Sequence, residues 1–268
     1  MDSAPDPWTW LRLDREGSEA WTPVESCEQL LIVVGVTGVG KSTCLRHLGD
    51  RLSMALLPDR RSVADRVILP HMQQELGLAS GPVDDRLERF RLTARYRDRF
   101  SGGVAHALSR LRLDASKCTG LVVFDGLRGT SEVSWAVEHF PFARFLALSA
   151  PGVVRLERLL SRDGDFDRAA AGTTGMSGVE DLFAELAGLE QLVTAEELGG
   201  LCATRAVAGL SPDAIAEKAA ILLEEAKNYD PQSTLEVLQE KLGPWRLLSV
   251  DTSQRSAEEV AEAVKDWI

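Results

Sequence analysis

The chain has 268 residues, a formal net charge of -11, 44% hydrophobic residues and 26% charged residues. That is enough chain for one large α/β domain, or one domain with a sizeable insertion, and it excludes wholesale disorder. The acidic balance argues against a protein that coats DNA or lies on a membrane surface. The opening MDSAPDP has no basic and no apolar region, so no secretory signal is expected. The longest apolar run, residues 30–36, is far too short to span a bilayer, and a cytoplasmic protein is expected. Cys27, Cys44, Cys118 and Cys202 lack CxxC spacing and predict reduced, mostly buried thiols. The four histidines lack ligand spacing, so no zinc site is expected.

In chain order, residues 1–29 form a lead-in. WTWLRLD at 8–14 alternates like a strand, Gly17 offers a turn, and AWTPV pairs back as a hairpin, with Trp8, Trp10 and Trp21 packing the lead-in onto the body. QLLIVV at 29–34 is a continuous apolar run, the mark of a parallel strand buried on both faces. A glycine-rich loop and a helix over 41–52 follow, then a short strand at 54–58. Residues 61–116 read as helical, broken near 78–82. LVVFD at 121–125 is a third strand, 132–139 a helix, 144–150 a fourth strand and 151–162 a helix. Residues 163–178, rich in Gly, Asp and Thr, read as a mobile loop. Helices follow at 178–193, 211–228 and 233–242, the second opened by Ser211-Pro212. A fifth strand at 245–251 precedes a terminal helix whose capping box runs from Ser256 to Glu259. Strands alternating with helices predict a doubly wound, five-stranded parallel sheet.

The sharpest motif is GVTGVGKST at 35–43, which fits GxxxxGK[ST] between a buried strand and a helix. Glycine lets backbone N–H groups curl inward as an anion nest, and the helix dipole points at the same spot. Gly35, Thr37, Gly38, Val39, Gly40, Lys41, Ser42 and Thr43 are therefore the expected ATP-binding residues, with Lys41 on the β- and γ-phosphates. Ser42 is placed to ligate Mg²⁺. The apolar strand 121–125 ends in Asp125, the expected second Mg²⁺ partner. No NKxD motif for reading guanine is found, and no signature loop or sensor-rich second domain of a transport or remodelling ATPase.

VVFDGLRGTSEV at 122–133 and the segment 141–167 resemble nucleotide-kinase-like proteins related to dephospho-CoA kinase, with their DGxRxxxEV segment and their RxxRxxxR helix leading into a lid. The resemblance covers roughly 31–168 plus the last strand and helix. It implies a P-loop kinase fold in which Arg155 contacts nucleotide, Arg158 and Arg162 stabilise the transferred phosphoryl, and Arg168 lies in the lid. Arg155, Arg158 and Arg162 stand at i, i+3 and i+7, one helix face. In P-loop kinases an acid just past the second strand orients the acceptor hydroxyl, which selects Asp59, and sheet logic agrees. Arg60, Arg66 and Arg128 are the expected acceptor ligands, and Thr252 lies in the loop that such kinases place against adenine.

DDRLERFRLTARYRDR at 84–99 predicts a helix of dense charge, with Arg86, Arg89 and Arg97 on one face and an apolar stripe of Leu87, Phe90 and Ala94. Residues 169–244 exceed what a compact nucleotide kinase needs. They predict a helical insertion that shapes the acceptor pocket, forms a homodimer interface or covers the sheet. The expected division is lead-in 1–29, kinase core 30–168, insertion 169–244, and last strand and helix 245–268. The expected function is ATP·Mg²⁺-dependent phosphoryl transfer to a nucleoside, nucleotide or related metabolite. The alternatives are a regulatory ATPase acting through a protein partner and a kinase of polynucleotide 5′ ends.

Overall fold

The computed structural model describes residues 6–13, 21–161, 179–207 and 211–268. The Gly17 turn, the 163–178 loop, Arg162 and Arg168 fall outside the described residues. In the lead-in, β1 (Leu11–Leu13) and β2 (Thr22–Pro23) do not pair with each other as a hairpin. Both pair antiparallel with β5 (Leu111–Leu113), which lies between them. The LRL triplet at 111–113 was expected to be helical. Its alternation, with Leu111 and Leu113 buried, satisfies a strand once partners arrive from far along the chain. Trp10 is buried in the core, and the indole N–H of Trp8 donates to Ser62 at 2.9 Å.

The main sheet consists of β3 (Leu30–Val34), β4 (Met54–Leu56), β6 (Leu121–Leu127), β7 (Arg144–Ser149) and β8 (Leu247–Asp251). All neighbours are parallel, in the order β4-β6-β3-β7-β8. Every residue of β3 is buried. Pleating divides them between two cores: Leu30, Ile32 and Val34 on one face, Leu31 and Val33 on the other. The continuous apolar run thus serves helices on both sides. Full burial stabilises each such side chain by roughly 1.5–3 kcal/mol.

One face is covered by α1 (Lys41–Gly49) and α12 (Ala257–Trp267), through Leu45, Leu48, Val260 and Val264. Ser256 and Glu259 form the expected capping box on α12. The other face carries α2 (Arg60–Val63), α3 (Leu69–Glu75), α4 (Arg86–Arg99), α5 (Gly103–Ser109) and α6 (Thr130–His139). A π turn, Ala64–Ile68, joins α2 to α3, with Leu69 N–H bonding back to Ala64 O. Pro70 follows immediately and has no N–H to give, so the widened turn absorbs the lost bond. On α4 the buried residues are Leu92 and Tyr96, while Leu87 (66%) and Phe90 (61%) are exposed, so the expected apolar stripe was placed on the wrong face. The partners of its charged side are on the neighbouring helical segment: Arg89 meets Asp65, and Arg99 meets Glu75 at 2.6 Å.

After α7 (Gly152–Leu160) the insertion contains α8 (Val179–Glu185), α9 (Ala195–Val207), α10 (Pro212–Asn228) and α11 (Pro231–Lys241). The helix α9 was not anticipated. A satellite core joins Leu156 and Leu159 of α7 to Leu182, Leu198, Ile215 and Leu222. In contrast, α11 gives Leu238 to the main core beside α6. Ser211 caps α10, and Asp230 caps α11 through the N–H groups of Gln232 and Ser233. No described helix is long and apolar enough to cross a membrane.

Candidate functional site

The loop between β3 and α1 is shaped by glycine. Gly38 has φ +85°, and a Cβ there would lie 2.9 Å from Arg155 Cβ, so both conformation and the approach of α7 exclude a side chain. Gly40 has φ +93° and heads α1 without a capping side chain. The first N–H groups of α1 therefore face an opening that suits an anion. Lys41 folds over the loop, its Nζ donating to Gly35 O at 2.8 Å and Val36 O at 3.2 Å.

Asp125 arrives beside Lys41 because β6 pairs directly with β3. Ile32 is level with Phe124 but Val34 with Leu127, so a bulge inserts an extra residue at Asp125-Gly126. Bulges re-aim side chains next to active sites. Asp125 Oδ1 lies 3.9 Å from Lys41 Nζ, buried and without a hydrogen-bond partner. Burial pushes its carboxyl above the ordinary aspartate range, with Lys41 and Arg128 pulling it back down. A desolvated carboxylate oxygen without a hydrogen-bond partner, together with the exposed Ser42 hydroxyl at the start of α1, fits a hard cation that keeps waters and takes its other ligands from phosphates. Among the described residues no cluster of three His, Cys, Asp or Glu forms a metal cage of its own. Cys44, on the same helix, is buried and its thiol is raised to about 11.

At the α1 end of the loop lies a cavity of about 600 Å³ lined by Gly40, Thr43, Arg158, Thr252, Ser253 and Arg255. Thr252 braces it from within: its Oγ1 lies 2.9 Å from Val39 O and 3.1 Å from Ser149 O, and accepts from Arg158 at 2.8 Å. Arg158 also donates to Gly38 O at 3.2 Å and Thr252 O at 2.8 Å. Of the arginines expected to act together, Arg158 is thus held at this end.

At the opposite end, by Thr37, the structure gathers residues that the sequence distributed across functions. Arg155 Nε donates to Thr37 O at 2.8 Å. Glu225 of α10 accepts from Thr37 N–H at 2.9 Å, Thr37 Oγ1 at 2.8 Å, Arg155 at 2.8 Å and Arg128 at 3.0 Å. Glu225 (8% exposed) and Arg155 (6%) are buried. Nothing in the sequence reading selected Glu225. The available signal was phase: Ile215, Ala219 and Leu222 form the buried stripe of α10, and Glu225 continues it one turn on.

The other acceptor candidates are dispersed. Asp59 is exposed, and its Oδ1 caps α2 by accepting from Ser62 N–H at 2.7 Å. Arg60, expected as an open acceptor ligand, is instead locked to buried Glu132, with Nη2 2.8 Å from Oε1, and reaches Gly126 O at 3.1 Å. Arg66 lies over the Trp8 ring, 5.0 Å from its centroid, and is taken up by the lead-in. Arg128 borders a cavity beside the loop, one of about 310 Å³ lined also by Gly35, Val36, Ser149, Asp230 and Leu238. A further groove of about 540 Å³ runs past Arg97, Ser131 and Tyr229. Asp230 borders both, so the junction of α10 and α11 walls both openings.

The chain matches no protein-family model and no curated protein. Among solved structures it is similar to an unliganded sugar kinase from Janibacter sp. HTCC2649, with 16% identity, 89% of this chain and 93% of that one covered, and a TM-score of 0.37. A shikimate kinase from Acinetobacter baumannii in complex with shikimate gives 17%, 89%, 91% and 0.33. A sulfotransferase from Alicyclobacillus acidocaldarius gives 12%, 88%, 79% and 0.32.

Proposed function

We propose that the chain is a phosphotransferase that moves the γ-phosphoryl of ATP to a small acceptor: a nucleoside, nucleotide or related metabolite. The observation that carries this reading is Asp125, a buried carboxylate oxygen without a hydrogen-bond partner, aimed by a bulge to 3.9 Å from the P-loop lysine. Loop N–H groups and the start of α1 would cradle the phosphates, and the 600 Å³ cavity would take the nucleoside. Ser42 and Asp125 would hold Mg²⁺, which supplies charge neutralisation when bound. Lys41 would exchange carbonyl partners for phosphate oxygens. Arg155 and Arg128 stand at the Thr37 end, where charge develops on the transferred group, and fixed cations there favour the transition state. Arg158 would hold the nucleotide from the cavity floor, and Arg162 would close over it as the resemblance implies. The Asp59 carboxylate, next in sequence to the residue that reaches Gly126 O, would orient the acceptor hydroxyl.

A second reading, a regulatory ATPase, is favoured by the docking of α10 on the P-loop. One experiment separates the two: γ-labelled ATP and Mg²⁺ with nucleosides, nucleotides, dephospho-CoA, sugars and 5′-OH oligonucleotides, with Lys41→Ala as control. The phosphotransferase reading expects a labelled acceptor that vanishes in the variant. Release of inorganic phosphate alone, equally lost in the variant, would replace it with the ATPase.

A further inference from the structure

The phosphate chain has a direction set by the fold. Its nucleoside end is fixed by the cavity at Gly40 and Thr43, so the phosphates run back along the loop toward Thr37. The terminal phosphate therefore belongs where Thr37 N–H and Oγ1, Arg155 and Arg128 converge. That position is filled: the Glu225 carboxylate accepts from all four donors at 2.8–3.0 Å. It presents negative oxygens to the same N–H groups and guanidiniums that a phosphoryl group would use. The local charge favours exchange. Among the described residues, Lys41, Arg128 and Arg155 are three cations that meet the two carboxylates of Asp125 and Glu225. A dianionic phosphoryl group satisfies them better than one carboxylate.

We propose that Glu225 is a resident stand-in for the terminal phosphate, so that ATP displaces it and undocks α10 while ADP leaves it in place. The inference rests on the nucleotide reading above and adds a specificity-determining residue to it. It also assigns the insertion a role. Ala226 through Asp230 line the 540 Å³ groove, and Asp230, Pro231, Thr234 and Leu238 border the 310 Å³ cavity. Both segments continue directly from Glu225, so releasing it repositions the wall of the acceptor side. Triphosphate binding thereby precedes productive acceptor binding, and the diphosphate product lets the carboxylate return.

The test is the affinity of the full chain for ADP and for a non-hydrolysable ATP analogue, both with Mg²⁺, in wild type, Glu225→Gln and Glu225→Ala. The proposal expects Kd(ADP) to change little and the analogue to bind about tenfold tighter in Glu225→Ala, less in Glu225→Gln, a coupling of ordinary size. An unchanged ratio in both variants, or a selectively weaker triphosphate, overturns it. Should the variants fold poorly, amide exchange in wild type decides. Protection over 212–228 is expected to fall with the analogue and to hold with ADP, and the same response to both nucleotides sinks the proposal. Failure of wild type to bind either nucleotide would instead remove the nucleotide reading itself, and this inference with it.

Discussion

The two ends of the P-loop are built on different plans. At the Gly40 end, Thr252 and Arg158 hydrogen-bond to loop carbonyls and leave a cavity of about 600 Å³ open. At the Thr37 end, side chains from α7, α10 and the β6–α6 turn close on one another and bury a carboxylate. The first end is built by the loop itself, α1, α7 and the β8–α12 turn. The second needs the insertion. On the proposed nucleotide reading, rigid, pre-formed recognition suits the part of the ligand that stays constant through a reaction. A charge cluster satisfied by the protein itself suits the part that comes and goes.

Four substitutions test this contrast, in decreasing order of expected effect. Lys41→Ala removes the cation that folds over the loop onto Gly35 and Val36. Transfer from labelled ATP is expected to fall by about a thousandfold, the order seen when one fixed stabilising donor is lost. Arg155→Ala acts on the closed end alone. It strips Glu225 of its most buried partner, and since breaking a buried pair costs about 3–5 kcal/mol, with Arg128 remaining we expect about 3 kcal/mol by urea denaturation. Gly38→Ala forces a side chain into a left-handed backbone and against Arg155, and about 2 kcal/mol is expected from strain of this kind. Gly40→Ala, with no neighbouring atom closer than 3.5 Å, should cost about half that. If the two glycine variants cost the same, the close approach of α7 at Gly38 is not what distinguishes the ends.

The smallest stability change is expected from Asp125→Asn, and its sign is opposite. The native carboxyl titrates above its unfolded value because it is buried. Its contribution to the stability of the ligand-free protein is therefore present below the ordinary aspartate range and is lost as pH rises through the raised native value. The asparagine variant should melt at a higher temperature than wild type at neutral pH and converge toward it in acid, while losing transfer. Equal melting temperatures across that range would show that Asp125 is paired in solution.

Much of this was legible in the sequence. The three central strands β6, β3 and β7 announced themselves as apolar runs because two-sided burial demands them, and the P-loop because its backbone demands glycine. What escaped depended on distance or on a local signal pointing the wrong way. Leu111–Leu113 carries only three alternating residues after a charged helix, and its partners lie about 90–100 residues earlier. The helix α9 contains Gly199-Gly200, which lower helix propensity, and no side chain occupies the space beside them. Arg60 reads as an open cation until Glu132, 72 residues away, is folded against it. Glu225 was hidden in a run of ordinary helical charge, although its phase with Leu222 marked the buried face.

The position of β5 between the two lead-in strands also bears on the order in which the protein acquires its structure. Leu11 cannot find Leu113 until the chain between them has been made, and at about 5–20 residues per second the ribosome takes roughly 5–20 s over those hundred residues. Throughout that interval Trp10 and Leu11, which end up in the core, lack their β5 partner strand. The contact spans about a hundred residues, and closing so long a loop slows folding. Docking of the lead-in therefore waits for β5, and a nascent chain truncated before residue 111 would leave this hydrophobic segment exposed to chaperones.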